Sequence, residues 1–434
     1  SEKNIGSLEE ILEYLDNPRF SLAAKSMLYP KAVVYMYRLM VKNGIESGII
    51  DGTNKETGNK MYKYCEKALS ILQEKAVRYY YTEILEIRKT LLVAGYGDGD
   101  RENMLIHTDE WLAAIHSLCN KHGVWEYTTN NCYFYKENSV YNIGTVVNIR
   151  RKMLGMTMKD LYEGICSEKT LRNLEHNRAG THRDIAEELL GRLGLPAGYH
   201  RMGIITDKRE TIELYTQWKR LSREFKFAEC REIMNELEKQ LSSNIVNRQF
   251  VEWGKNIVAY ELKELDYITY IEKMSDCLGI TIRIEDILSS ENIYLSYIEN
   301  EILYQISAKY KYNGDESSAF KYIEPIYRKL KEYTDIEIQE NIKDYEFYMT
   351  FAASILGSLG KYVESNIISN KIIRAQLQYG RIAGINCNLS SMAWNQNKVD
   401  ENKKVYNEQL YQCILWSQMS NDRYFENRYR ARMT

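Results

Sequence analysis

Proline is scarce in this 434-residue chain: Pro18, Pro30, Pro196 and Pro325 are all there is. Long stretches therefore carry no helix breaker, and an all-α protein is expected. The eight cysteines, at positions 65, 119, 132, 166, 230, 277, 387 and 413, include no Cys-x-x-Cys pair. That spacing excludes the usual zinc and dithiol motifs and leaves reduced thiols as the expectation. The six histidines (107, 116, 122, 176, 182, 200) show no metal spacing, no glycine-rich loop suits a phosphate, and no Ser-His-Asp constellation can be argued. We expect no enzyme, no metal and no cofactor. The opening "SEKNIGSLEE" lacks a basic-then-apolar leader, and no apolar run reaches membrane-spanning length. A cytoplasmic protein without a membrane partner is the expectation.

A chain this long exceeds what one core usually organises, so two or three domains are expected, and a hydrophobic fraction of 44% supplies their interiors. The formal net charge of −2 is unevenly spread. Residues 1–143 hold 17 basic and 19 acidic side chains, residues 144–203 hold 10 and 7, and residues 204–434 hold 31 and 34. Only the middle piece is basic, a modest surplus that suits a polyanion without identifying one.

Residues 1–121 read as a helical N-terminal domain. "SLEEILEYL" places Glu10 three residues after Ser7, a capping-box spacing, with Leu8, Ile11, Leu12 and Leu15 on a helical period. "NGIESGIIDGTNKETGNK" and "GYGDGDREN" read as loops, and residues 122–143, polar and aromatic without period, as a connector. Residues 204–434 alternate helical segments that look like antiparallel pairs recurring about every 40–45 residues. In "ILGSLGKYVESNIISNKII", a Leu-Gly pair and a Gly-Lys-Tyr turn lead to a small residue, Ser365, with Ala319 at the matching place one unit earlier. This resembles tetratricopeptide repeats stacked into a superhelix, with a generic helical bundle as the competing reading.

Within these repeats Asn341, Tyr345, Tyr348 and Ala352 share one helix face, as do Asn388, Ser391 and Asn395. Asparagine amides donate and accept together, which suits a peptide backbone. Asn341, Tyr345, Tyr348, Asn388 and Asn395 are therefore candidate peptide-binding residues, against the alternative that these faces are inter-repeat core.

Residues 144–203 are the most specific part. "GTVVNIRRKMLGMT" supplies a helix ending near Gly155, Thr157 is a good N-cap for a second, and Gly164 allows a tight turn. Ser167 caps a third helix, "EKTLRNLEH", and Asn177 can take the left-handed conformation that stops it. A fourth, "HRDIAEELLGRLG", closes the unit, and Val147, Leu161, Ile165, Leu171, Leu174, Ile185, Leu189 and Leu190 would form its core. Arg151 and Glu175 are spaced for an ion pair joining the first helix to the end of the third.

Gly144, Arg151, "GMT" at 155–157, Leu161, "EGICS" at 163–167, Leu171, Leu174 and Glu175 resemble the XRE type of helix-turn-helix domain. Together with the repeats, the pattern resembles the RRNPP group of regulators, which join such a domain to tetratricopeptide-like repeats and respond to short signalling peptides. There the DNA-binding domain usually opens the chain; here 143 residues precede it. The resemblance implies that the third helix enters the major groove of double-stranded DNA. Glu168, Lys169 and Asn173 would face bases, with Thr170 and Arg172 at the edge of that footprint. Thr157, Ser167, Asn177, Arg178 and Arg183 would lie near phosphates. Met158 stands where a phosphate-binding glutamine is common, and Tyr162 where a small alanine normally packs.

The function so implied is a sequence-specific DNA-binding transcriptional regulator, a homodimer whose repeats sense a short peptide. The competing reading is a protein-interaction scaffold, or a response-regulator-binding repeat protein, whose helix-turn-helix no longer binds DNA. The acidic flanks and Met158 favour that alternative, and the recognition-helix chemistry disfavours it.

Overall fold

The computed structural model describes residues 2–97, 99–128, 142–196 and 203–433. Among these residues there is no strand, only an isolated antiparallel bridge between Val77 and Arg381. The protein is all-α. The helices run α1 (Glu2–Leu15), α2 (Leu22–Lys42), α3 (Ile45–Ile50), α4 (Lys55–Lys75), α5 (Tyr81–Val93) and α6 (Arg101–His122). Then come α7 (Ile143–Met153), α8 (Met158–Tyr162), α9 (Glu168–Glu175) and α10 (Arg183–Arg192). They are followed by α11 (Arg209–Arg223), α12 (Phe227–Gln240), α13 (Ile245–Glu261), α14 (Tyr267–Gly279), α15 (Ile284–Ser289), α16 (Tyr297–Tyr312) and α17 (Glu316–Lys331). The last are α18 (Asp335–Glu340), α19 (Ile342–Ser358), α20 (Tyr362–Gln378), α21 (Ile385–Val399), α22 (Lys403–Met419) and α23 (Arg423–Arg430).

The chain divides into two compact units, one made of Ser1–Asn138 with Thr334–Thr434, the other of Ser139–Tyr333. In the first unit, side chains of Ser21, Asn54 and Asp100 cap α2, α4 and α6 by accepting from backbone amides three residues on. Ala76 and Gly123 end α4 and α6 in the left-handed conformation. Pro30 lies inside α2 rather than ending it. The stretch read as a loop at 43–60 contains α3 and the start of α4. Burial holds that short helix: Ile49 is enclosed, and its carbonyl accepts the Tyr96 hydroxyl at 2.8 Å.

Helices separated by some 300 residues share one interior here. Leu69, Leu72, Tyr81, Leu85 and Ile115 pack in the same core as Ile373, Leu377, Leu415, Trp416 and Met419. Polar contacts fasten the same seam. Buried Arg78 donates from Nε and Nη2 to the Leu377 carbonyl (3.2 and 2.9 Å), and the Tyr81 hydroxyl donates to the Met419 carbonyl (3.1 Å). Trp111 Nε1 donates to Gln418 (3.2 Å), and backbone bonds join Arg78 to Gly380 and Ile382 to Ala76.

Sequential helix pairs recur in both units with a common device at the crossing. Ser365 Oγ on α20 donates to the Ala353 carbonyl of α19 (2.8 Å), and Ser307 Oγ on α16 to the Ala319 carbonyl of α17 (2.5 Å). Glycine at 357 lets α21 come close, since a Cβ there would stand 2.6 Å from Asn395 Oδ1.

That packing corrects the expected peptide groove. Tyr345 and Asn388 are fully buried, and Asn341, Tyr348 and Asn395 nearly so. Asn395 Nδ2 donates to Ser365 Oγ (2.9 Å) and Asn366 Oδ1 (2.8 Å), Asn388 Nδ2 to Thr350 Oγ1 (3.1 Å), and Asn341 Nδ2 to the Glu337 carbonyl (2.9 Å). Their shared faces meet neighbouring helices of the same chain, and their amides bond side chains and carbonyls of that chain. No surface is left on them for a peptide.

In the second unit α7–α10 enclose a small core of Val146, Val147, Leu161, Leu171, Leu174, Leu189, Leu190 and Leu193, joined by Tyr294 from the segment before α16. The pairs α11/α12, α13/α14 and α16/α17 make up the rest.

Candidate nucleic-acid interface

Each turn of α7–α10 has a local cause. Asn142 Oδ1 accepts from the amides of Gly144 and Thr145 (3.1 and 3.3 Å) and starts α7. Gly155, at φ +62°, ends it. Thr157 and Asp160 form a reciprocal capping box at α8: the Thr157 amide donates to Asp160 Oδ2 (2.8 Å), and the Asp160 amide to Thr157 Oγ1 (3.2 Å). Those hydrogen bonds hold the Asp160 carboxyl below its ordinary pKa. Gly164 turns the chain at φ +80°, Ser167 Oγ accepts from the Thr170 amide (3.1 Å), and Asn177 leaves α9 at φ +56°.

α9 is held from behind. Arg151 on α7 donates from Nε and Nη2 to the two carboxylate oxygens of buried Glu175 (2.7 and 2.9 Å), and its Nη1 reaches the Met156 carbonyl (2.9 Å). Gly144 lies directly under the Leu174 carbonyl, so α7 and α9 touch backbone to backbone. Leu171, Leu174 and Glu175 therefore face inward. Lys169, Arg172, Asn173 and His176, at i, i+3, i+4 and i+7, make up the opposite stripe.

The expected contact residues divide by environment. Glu168, Lys169 and Arg172 are exposed, and Thr170 and Asn173 half-buried. Glu168 and Arg172 pair with each other across one turn. Thr170 shares a hydrogen bond with Ser167 (2.8 Å), so that hydroxyl is engaged in the cap. The side chains of Lys169 and Asn173 make no hydrogen bond to other described residues. Arg178 is exposed beyond the helix, Arg183 pairs with Glu187 (2.6 Å), and Asn177 Nδ2 donates to Thr145 Oγ1 (3.3 Å). Thr157 and Ser167 are exposed at the first turns of α8 and α9. Met158 and Tyr162 pack partly buried against the core of the four helices.

Two basic residues escaped the sequence reading. Arg192, at the end of α10, gives Nη1 to the carbonyls of Leu161 (3.1 Å) and Glu163 (2.6 Å) and so closes the far end of α8. Arg150 is fully buried and pairs with Glu299 on α16. No local signal marks either one, because their partners lie about 30 and 150 residues away.

The same unit holds a cavity of about 310 Å³ among α11, α13 and α16, walled by Tyr215, Trp218, Trp253 and Tyr297. Lys219 and Arg223 line its α11 side, and Glu261 and Glu301 the α13 and α16 sides. Lys219 Nζ sits 5.3 Å from the ring centres of both Tyr215 and Tyr297. Among the described residues no cluster of His, Cys, Asp and Glu could hold a metal ion, and no helix is long and apolar enough to cross a membrane.

No protein-family model matches the chain, and no curated protein sequence matches it. Solved structures similar to it include PlcR of Bacillus thuringiensis in complex with the peptide PapR7 and DNA, at 19% identity over 66% of this chain and 98% of that one, with a TM-score of 0.42. Others are the apo form of the competence regulator ComR from Streptococcus vestibularis (13%, 67% and 96%, TM-score 0.37) and the SHP pheromone receptor Rgg2 of Streptococcus dysgalactiae (10%, 67% and 98%, TM-score 0.35). All three are RRNPP regulators.

Proposed function

We propose that the chain is a sequence-specific DNA-binding transcriptional regulator that reads duplex DNA with α9 and responds to a short peptide. One observation carries the DNA reading: the stripe of Lys169, Arg172 and Asn173 on the outer face of a helix whose inner face is fixed by Glu175 and two leucines. Lysine and arginine can donate to guanine O6 and N7, and an asparagine amide can pair with adenine N6 and N7. Arg178, just past the helix, suits a phosphate. The peptide reading moves from the buried asparagines to the cavity of the second unit, whose aromatic walls and opposed charges suit one or two peptide side chains.

Selection of duplexes from a random pool by the full chain, followed by mobility shift, tests the proposal. A discrete sequence should emerge at moderate salt. Asn173→Ala should cost about 1–3 kcal/mol at one base position, while Arg178→Ala should weaken all sequences alike and lower the salt slope by about one. Recovery of no preferred sequence, with or without peptide, leaves the protein-interaction reading.

A further inference from the structure

Two adjacent arginines on α7 point to different partners. Arg151 holds Glu175 of α9, whereas Arg150 reaches the start of α16. There its Nη1 and Nη2 donate to Glu299 Oε2 and Oε1 (3.1 and 2.5 Å), its Nε to the Leu193 carbonyl (3.1 Å) and its Nη1 also to the Tyr294 carbonyl (3.2 Å). Neither Arg150 nor Glu299 has any solvent exposure. Glu299 is also the capping-box residue of α16, accepting the Ser296 amide (2.8 Å) and the Thr281 hydroxyl (2.5 Å). A buried pair with its hydrogen bonds filled tolerates little change in geometry, because losing either partner strands a charge in the interior. On its other side α16 presents Tyr297, Glu301 and Gln305, at i, i+4 and i+8, to the aromatic cavity.

We propose that Arg150 and Glu299 are positioning residues that make α7, α9 and the first turn of α16 move as one body. A ligand that shifts Tyr297 or Glu301 then acts on the DNA-facing stripe through Glu299, Arg150, Arg151 and Glu175. This deepens the reading above and rests on α9 being the helix that meets DNA. The link needs only a local element with two arrangements, biased from either end.

Hydrogen exchange followed by mass spectrometry on the full chain tests the link without DNA. In the wild type, slow amides of 143–153, 168–176 and 297–312 should exchange through one common opening with the same denaturant dependence. In the double variant Arg150→Met/Glu299→Leu, which removes both charges at similar volume, 143–153 and 168–176 should exchange at least tenfold faster. The 297–312 segment should stay within twofold and the unfolding midpoint should be unchanged. Separate openings in the wild type overturn the proposal, as does unchanged exchange of α7 and α9 in the variant. Faster exchange in all three segments with a fallen midpoint shows a merely structural pair and overturns it too. If the double variant does not fold, Glu299→Gln is read by the same criteria. With a duplex selected by the wild type, protection should extend into 297–312 and should stop at α10 in the variant. A pool yielding no duplex removes the proposed function, while exchange without DNA still decides the coupling.

Discussion

Replacing Gly144 by alanine tests the contact on which the α7–α9 arrangement depends. A Cβ at this position would stand 1.8 Å from the Leu174 carbonyl oxygen and 2.6 Å from Asn177 Oδ1. The two helices would have to part by roughly 1.4 Å to reach an ordinary contact. The carbonyl cannot simply turn aside, because it accepts the Asn177 amide at 2.9 Å in the turn that ends α9. Alanine gains at most about 1 kcal/mol over glycine in a helix, whereas overpacking costs about 1–3 kcal/mol and sometimes more. Steric cost should win. Gly191 in α10 is the control, since it is exposed with nothing within 4 Å of its would-be Cβ and has no positive φ. Thermal unfolding of the full chain, followed by hydrogen exchange in 143–192, should show Gly144→Ala losing roughly 2–8 °C and Gly191→Ala gaining about 1–4 °C. A Gly144→Ala protein as stable as the wild type, beside a stabilised Gly191→Ala, would refute the close-contact argument. DNA affinity should fall with Gly144→Ala and hold with Gly191→Ala.

Three further outcomes are expected. Trp416→Ala, in the core shared by the first and last helices, should cost about 3–5 kcal/mol and speed hydrogen exchange in α5 as much as in α22; acceleration confined to α22 would contradict the shared interior. Asn395→Ala should cost about 1–3 kcal/mol by denaturant unfolding and leave peptide response unchanged, because its amide serves Ser365 and Asn366. Burial beside Lys121 and Arg374 pushes His122 down to about 4, so its neutral form is favoured on folding. Its contribution is present above pH 6.5 and lost as the pH falls toward 4; denaturation midpoints across that range should fall less steeply in His122→Gln than in the wild type.

What was legible in the sequence was what has local causes. Ser167, Gly164, Asn177 and the leucines of α9 act within ten residues of one another, and each leaves its mark on the residue types nearby. The asparagine faces of α19 and α21 show the limit. A period of three and four tells which residues share a side of a helix, but not whether that side meets solvent or a neighbour, and Asn388 and Asn395 meet neighbours. Arg150 and Arg151 carry the same limit to adjacent positions: a rotation of about 100° per residue separates them, and only the distant Glu299 makes one of them interior. α3 was hidden because six residues between glycines have too little period to register.

The interior shared by the two chain ends sets an order of events during synthesis. α5 leaves the ribosome about 330 residues ahead of the end of α22, which at roughly 5–20 residues per second is a wait of about 15–65 s. Through that interval the DNA-facing helices have all their own core partners in the nascent chain, while α4–α6 still lack Leu415, Trp416 and Met419. The protein is therefore completed from its middle outward, and its earliest-made helices are the ones that depend longest on protection by chaperones.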